Sequence, residues 1–349
     1  MPSPFRISLA MIVRDEARCI QRCLDSVRGV VDEMIVLDTG STDDTVALAQ
    51  AAGAEVHHFT WVDDFAAARN AALELCTGDW RLVMDADECL AEGADVLRGL
   101  RSEPPDFVGV LEVESETNDG QVGSIVQARL LTAEVRYEGR VHEQPVHDLT
   151  HRRLPVRLAH DGYLPEQLQR KSGRNRRLLH AALRKDPHNA YLRYQLGKDH
   201  EAAGEHDDAV AAYSLAYRST AAAGPSAPPW RHELVVRYLS VLGHAGRTQE
   251  AVDVANDEMP HWQGSADFWF ELGHVLLKHA LAHPADAGDL LPLIESSWVR
   301  CLELGDTLHL PGGIRGKGSH LAAQNLVMFY EVQGDARNAA RYRQHAVPA

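Results

Sequence analysis

At 349 residues, with 45% hydrophobic and 24% charged, the chain is long enough for about two domains with cores of their own. Its formal net charge of −15 argues against a general nucleic-acid binder, whose affinity would rest on neutralising phosphates. The five cysteines show no Cys-x-x-Cys pair or zinc-like spacing, and no apolar run approaches the roughly 18 residues of a membrane helix; the expectation is a soluble cytoplasmic protein.

Taken in order, Ile7–Val13 reads as a strand, Arg18–Val27 as a helix carrying Cys19 and Cys23 at i,i+4, and Met34–Leu37 as a strand. Thr42–Ala52 reads as a helix with Ser41 or Thr42 as N-cap, Asp43 and Asp44 in its first turn and Gly53 as its stop. Glu55–Phe59 is a short strand, Phe65–Leu75 an alanine-rich helix, and Trp80–Met84 the next strand. This alternation predicts a parallel, doubly wound α/β sheet. From Phe107 to about His160 the pattern changes to β-like runs, Val108–Val113 and Ile125–Leu131, without clear helices between them. A mixed or antiparallel extension of the first sheet is expected there.

Beyond about Ser172 the pattern is almost wholly helical. Leu196, Gly197, Ala209, Tyr213 and Ala216 match the small and large positions of a tetratricopeptide repeat, with Pro187 where the preceding unit would end. Echoes follow at Gly246 with Ala251, at Trp269, Leu272 and Gly273, and at Leu326, Gly334 and Ala339. Residues 224–229 and His283–Asp289 read as inserted loops. About four packed helix pairs are expected, because each pair needs a neighbour to bury its apolar face. A generic helical bundle is the alternative.

Asp85-Ala86-Asp87 ends the apolar run Trp80–Met84, at the strand edge where open α/β sheets place ligands. Two acids flanking one small residue can hold a divalent cation against a diphosphate, and hard oxygen ligands suit Mg2+ or Mn2+. Asp38 ends the second strand, where a carboxylate can accept bonds from ribose hydroxyls or a uracil N–H, or simply cap the next helix.

The strings Ala10-Met11-Ile12-Val13-Arg14-Asp15-Glu16, Leu37-Asp38-Thr39-Gly40-Ser41-Thr42-Asp43-Asp44-Thr45, Ala68-Arg69-Asn70 and Asp85-Ala86-Asp87-Glu88 resemble, in order and separation, a family 2 glycosyltransferase of GT-A fold. The likeness continues through Gly139-Arg140-Val141-His142-Glu143, His160-Asp161-Gly162-Tyr163 and Arg174-Asn175. That longer series is similar to the branch with C-terminal tetratricopeptide repeats, which includes bacterial peptide S-glycosyltransferases and lipopolysaccharide glucosyltransferases. The resemblance implies a GT-A domain over residues 1–170 and a tetratricopeptide-like helical domain over 171–349.

It also implies roles. Asp87 would ligate Mn2+ or Mg2+, and Asp85 would face the ribose or a metal-bound water, with Ala86 between them at the nucleotide-sugar. Val13 would bring backbone groups to the base edge, and Glu16 would bind the nucleotide or begin a helix. Thr39 stands where the family commonly has a second aspartate. Arg69 would neutralise diphosphate or stack on uracil, and Lys171 and Arg174 would close over the diphosphate. His160 is a candidate third metal ligand; His142 and Tyr163 are assigned to the acceptor and sugar side. Glu143 is the candidate base that deprotonates the acceptor, with Glu88 and Asp161 as competitors.

The resemblance implies an inverting transfer of a hexose, UDP-glucose first among donors, from a UDP-sugar to a peptide or protein acceptor. A saccharide or lipopolysaccharide core acceptor, a homodimer and a dimerising role for the repeats stay open. A sugar nucleotidyltransferase would need a glycine-rich basic loop after the first strand, where this chain has Met11–Glu16. The remaining alternative is a non-catalytic repeat adaptor with a vestigial GT-A domain.

Overall fold

β1 (Ile7–Val13) is apolar at every position but Ser8, as a parallel strand covered on both faces must be. The computed structural model describes residues 4–116, 122–160, 165–221 and 227–347. It divides into two compact units, Met1–Leu178 and Leu179–Ala349.

In the first unit β1 is followed by α1 (Ile20–Ser26), β2 (Glu33–Asp38), α2 (Thr45–Ala51), β3 (Glu55–His58), α3 (Phe65–Leu75) and β4 (Trp80–Val83). Then come β5 (Glu88–Glu92), α4 (Ala94–Gly99), β6 (Phe107–Glu116), β7 (Val122–Thr132), β8 (Arg136–Glu138), β9 (Gln144–Val146) and β10 (Thr150–His160). Eight strands form one sheet in the order β3-β2-β1-β4-β7-β6-β10-β5. β1 pairs in parallel with β2 and β4, whereas β7 runs antiparallel to β4 and β6. The expected GT-A-like sheet with a mixed extension is therefore present. Alternation along β1 divides the core. Leu9 and Met11 pack with Cys23 and Leu24 of α1, while Ala10 packs with Leu73 of α3 on the opposite face.

Within and beyond this unit, several sequence expectations change. α2 starts at Thr45 and not at Thr42, so Asp43 and Asp44 precede its first turn. The cause is local: the Thr42 amide donates to Asp15 Oδ1 at 2.7 Å, and Asp43 Oδ1 accepts from the Thr45 amide at 3.0 Å, which holds 41–44 as a loop on the end of β1. β5 and α4 occupy a stretch that carried no assigned element. His283–Asp289 is not a loop throughout, since Pro284–Asp286 forms a 3-10 turn and a helix begins at Ala287.

α5 (Pro165–Lys185) starts earlier than the helical pattern suggested, and the division between the units falls within it. The second unit continues with α6 (Ala190–Ala202), α7 (His206–Thr220), α8 (Arg231–His244) and α9 (Thr248–Glu258). α10 (Ala266–Ala282), α11 (Ala287–Leu304), α12 (His320–Val332) and α13 (Ala336–Arg343) complete it. Consecutive helices pack as four pairs, α6 with α7 through α12 with α13. The repeat positions are steric. A Cβ on Gly197 would lie 2.4 Å from the Tyr213 ring, and one on Gly273 2.4 Å from Trp298 Nε1. Each glycine lets the second helix of its pair lay an aromatic ring directly on the first. Among the described residues no helix is long and apolar enough to cross a membrane.

Candidate active site

The chain runs outward from β1 to β2 and β3, then returns to place β4 on the other side of β1. Ligands of open α/β sheets bind at such a reversal, beyond the carboxyl ends of the strands. Here those ends are Val13 and, one residue past β4, Met84 leading into Asp85-Ala86-Asp87.

Asp85 is held between two arginines. Arg69 Nη2, on α3, donates to Asp85 Oδ1 at 2.8 Å, and Arg129 Nη2, on β7, donates to Oδ2 at 3.0 Å. Arg69 Nε also donates to Glu143 Oε1, and Arg129 Nη2 to Glu88. Glu88 Oε2 in turn accepts from the Asp85 amide at 2.9 Å, closing the turn. Burial opposes the Asp85 charge, but Arg69 and Arg129 outweigh it and hold the carboxyl well below the usual range. For Glu88 burial wins: it pushes the carboxyl up against the pull of Arg129, and the Asp85 charge adds to the rise. Both oxygens expected to face ribose or a metal-bound water are thus engaged by arginine.

Asp87 and His160 form the second part of the site. Asp87 Oδ2 lies 3.4 Å from His160 Nε2, and His160 Nδ1 lies 3.0 Å from Ser115 Oγ. Burial would lower the His160 pKa, yet its hydrogen bond to Asp87 and the charge of that carboxylate raise it. The pair offers one carboxylate oxygen and one imidazole nitrogen, spaced for neighbouring positions on one ion. Ser115 fixes the ring from behind, as outer partners of metal-binding histidines do. Mn2+ and Mg2+ ask for one or two protein ligands, with substrate oxygens completing the shell. The donor set fits that group.

The other predicted residues distribute around these two. Val13 is paired in register with Asp38, but its carbonyl accepts from Thr39 N and Oγ1, both at 2.9 Å. Asp38 is buried and accepts from the Gly40 and Ser41 amides at 3.2 and 3.0 Å, with His58 Nδ1 at 3.3 Å. Burial pushes its carboxyl up, and the bonds from Ser41, Gly40 and His58 bring it net below the ordinary value. The Glu16 amide is tied to Thr45 Oγ1 at 2.7 Å, and its carboxylate meets Cys19 Sγ at 3.3 Å. Burial and then Glu16 push that thiol up to about 12, which disfavours the thiolate of a residue already buried in the core.

The Arg174 guanidinium lies 4.9 Å from the Phe65 ring centre. Burial and the Arg14 charge lower its pKa while Glu16 and Glu143 oppose them, which sets Arg174 in the field of the same acids. His142 adopts φ 52°, a left-handed conformation, in the turn ahead of Glu143. Ala86 is buried in the core under the turn. Tyr163, Asp161 and the Lys171 side chain lie outside the described residues.

Sequence reasoning missed Arg129, Ser115 and Tyr137, whose ring centre lies 5.6 Å from the Arg69 guanidinium. Arg129 left a signal. It interrupts the apolar run Ile125–Leu131, and an arginine at a buried sheet position needs hydrogen-bond acceptors, often carboxylates.

Residues 8–124 match the model of the family Glycosyl transferase family 2. A TPR repeat-containing protein of Synechococcus elongatus is 40% identical over 208 residues, 55% of this chain and 51% of that protein. The SPbeta prophage-derived glycosyltransferase SunS of Bacillus subtilis is 30% identical over 218 residues, 58% of this chain and 51% of that protein. The chain thus spans about half the length of these curated relatives. Among solved structures, glucosyl-3-phosphoglycerate synthase from Mycobacterium tuberculosis, in complex with Mn2+ and UDP, is 26% identical at a TM-score of 0.27, over 32% of this chain and 44% of that one.

Proposed function

We propose that this chain, whose N-terminal unit carries a domain of glycosyl transferase family 2, moves a hexose from a UDP-sugar to a nucleophilic group of a peptide or protein, with inversion. UDP-glucose is the first donor to test. The observation that carries the reading is the Asp87–His160 pair, 3.4 Å apart at the sheet's reversal point and beside a buried arginine network.

In this reading Asp87 and His160 hold Mn2+ or Mg2+. The bound ion would offset the charge that the departing diphosphate gains. Arg69 contributes its buried Nη1, which has no partner among the described residues and can donate to the donor's oxygens. Asp85 acts through the two arginines by orienting them. Val13, Glu16 and Asp38 line the nucleotide side, and Ala86 sets the turn. Arg174 would approach the diphosphate and His142 would border the acceptor; Lys171 and Tyr163, expected beside them, have side chains outside the described residues.

Glu143 spends Oε1 on Arg69, and among the described residues Oε2 has no partner. That oxygen takes the proton as the acceptor heteroatom attacks the anomeric carbon. The bond from that carbon to the diphosphate oxygen breaks, and UDP leaves with the electron pair.

The test is a UDP-sugar hydrolysis and transfer panel with Mn2+, run on wild type, Asp87→Ala and Glu143→Gln. Metal-dependent turnover lost in Asp87→Ala supports the reading, and so does Glu143→Gln that binds UDP but no longer transfers to an oxygen acceptor. Metal-independent turnover or a fully active Asp87→Ala overturns the metal assignment, and unchanged transfer by Glu143→Gln removes the base.

A further inference from the structure

Two histidines outside the candidate active site turn the same ring nitrogen toward one point. His151 stands at the start of β10, opposite Val108 of β6, and His147 directly follows β9. Their Nε2 atoms lie 3.2 Å apart, with ring centres at 5.0 Å and planes inclined by 71°. Leu149, between them in sequence, packs on the core cluster that contains Val108 and Tyr137, which anchors the turn carrying both rings.

The spacing has a chemical meaning. A tetrahedral ion bound by two imidazoles at about 2.0–2.1 Å holds their nitrogens roughly 3.3 Å apart. A hydrogen bond between two ring nitrogens exists only when one of them carries no proton, so a lone pair already points at the place an ion would take. Packing does not account for the pair. His147 Nδ1 is buried without a partner among the described residues, a cost that an apolar side chain would not carry, and His151 is exposed. What the two rings share is the meeting of their Nε2 atoms.

The place is separate from Asp87 and His160. His151 and His160 lie near opposite ends of β10, roughly 30 Å apart at about 3.3 Å per residue. The donor sets differ as well. Asp87 offers a hard oxygen of the kind that suits Mn2+ or Mg2+, while two neutral imidazoles suit Zn2+, Ni2+ or Cu2+.

We propose that His147 and His151 form a second metal site, in which their Nε2 atoms bind one divalent ion of the zinc class and water completes its shell. The ring that now donates carries its proton on Nδ1 once the ion is bound, so both rings stay neutral. The ion ties the end of the β8–β9 hairpin, whose turn bears Glu143, to the main sheet. The site needs neither a nucleotide nor an acceptor and stands independently of the transferase reading.

The test is isothermal titration calorimetry of the chelator-stripped full chain with ZnCl2, and separately with MgCl2. The wild type should bind a zinc equivalent that His147→Gln and His151→Gln lose, or hold at least tenfold more weakly, with melting temperatures confirming that each variant folds. Should His147→Gln not fold, the exposed His151→Gln decides alone. The same loss is expected when His151→Gln is placed on Asp87→Ala, which separates this ion from the candidate active site. Zinc binding left unchanged by a folded His151→Gln, no zinc bound by a folded Asp87→Ala, or Mg2+ binding that depends equally on His151 overturns the proposal.

Discussion

Both units bury ion networks, but they close them differently. In the repeat unit Arg237 donates Nε to Glu233 at 2.7 Å and Nη1 to Glu201 at 3.0 Å, while Lys198 reaches Glu233 at 3.0 Å. Two cations meet two carboxylates, and the charges balance within the fold. In the N-terminal unit Arg69 and Arg129 face Asp85, Glu88 and Glu143, and Arg69 Nη1 and Arg129 Nε are buried without partners among the described residues. Arg231 Nη1 lacks one too, outside the repeat-unit network. An unmatched buried donor costs about 1–3 kcal/mol. Arg81 Nε bears the same cost away from the site; under the proposed function, the two donors beside Asp85 would be kept for the oxygens of an anionic substrate.

The largest expected effect is on stability. Arg129→Met leaves Glu88 buried without its cation and should cost about 3–5 kcal/mol in urea unfolding. Arg237→Met should cost a similar amount. The networks part in function: Arg69→Met should abolish UDP-sugar turnover, whereas Arg237→Met should leave it intact under conditions where the protein is folded. Equal losses of turnover would remove the distinction between an open and a closed network.

Asp87→Ala comes next. Turnover should fall by about two to three orders of magnitude, roughly 3–4 kcal/mol at the transition state, with an unchanged melting temperature.

The closed network also makes a pH prediction. Burial raises the Glu233 carboxyl, but Lys198 and Arg237 outweigh it and hold it at about 2. A carboxyl lowered in the folded state contributes stability above its unfolded value, near 4.3, and loses it as pH falls toward the folded value. About 3 kcal/mol should disappear over that window, read as a falling urea midpoint of the helical signal. A flat midpoint would show that the pair stabilises little.

Smaller effects follow from packing and surface charge. Gly197→Ala should cost about 1–3 kcal/mol, because the Tyr213 ring occupies the space of the new methyl group. Arg300→Ala breaks an exposed pair with Glu303 and should change stability by less than about 0.5 kcal/mol.

How much of this was legible depended on the signal each element carries. β1 and α3 have the ends read from sequence, because seven nearly unbroken apolar residues and an alanine-rich run leave few alternatives. β5 is short and acidic at both ends, and α4 starts from Gly93 at φ 90°, so both resemble turn sequence. α2 was placed three residues early because Thr42, Asp43 and Asp44 look like a helix start; Asp15, 27 residues away, holds Thr42 in a loop instead. No local rule anticipates that bond.

Within the site, the sequence placed Asp85 and Asp87 together but could not separate their environments. The tertiary structure does so: Asp85 faces α3 and β7, which bring arginines, and Asp87 faces the end of β10, which brings His160. Glu143 was legible as a candidate acid, while its bond to Arg69, 74 residues away, was not.

By itself the sequence determined the α/β-then-helical order, the sheet's central strands and the pairing of helices around Gly197 and Gly273, and it supplied the acids and histidine of the candidate site. Those follow from periodicity, side-chain size and residue chemistry, which act locally along the chain. Only the tertiary structure decided which carboxylate meets which cation, and which buried donors remain unmatched. Such partners come from elements far apart in sequence, and their electrostatics depend on distances and burial that exist only once the sheet and helices have packed.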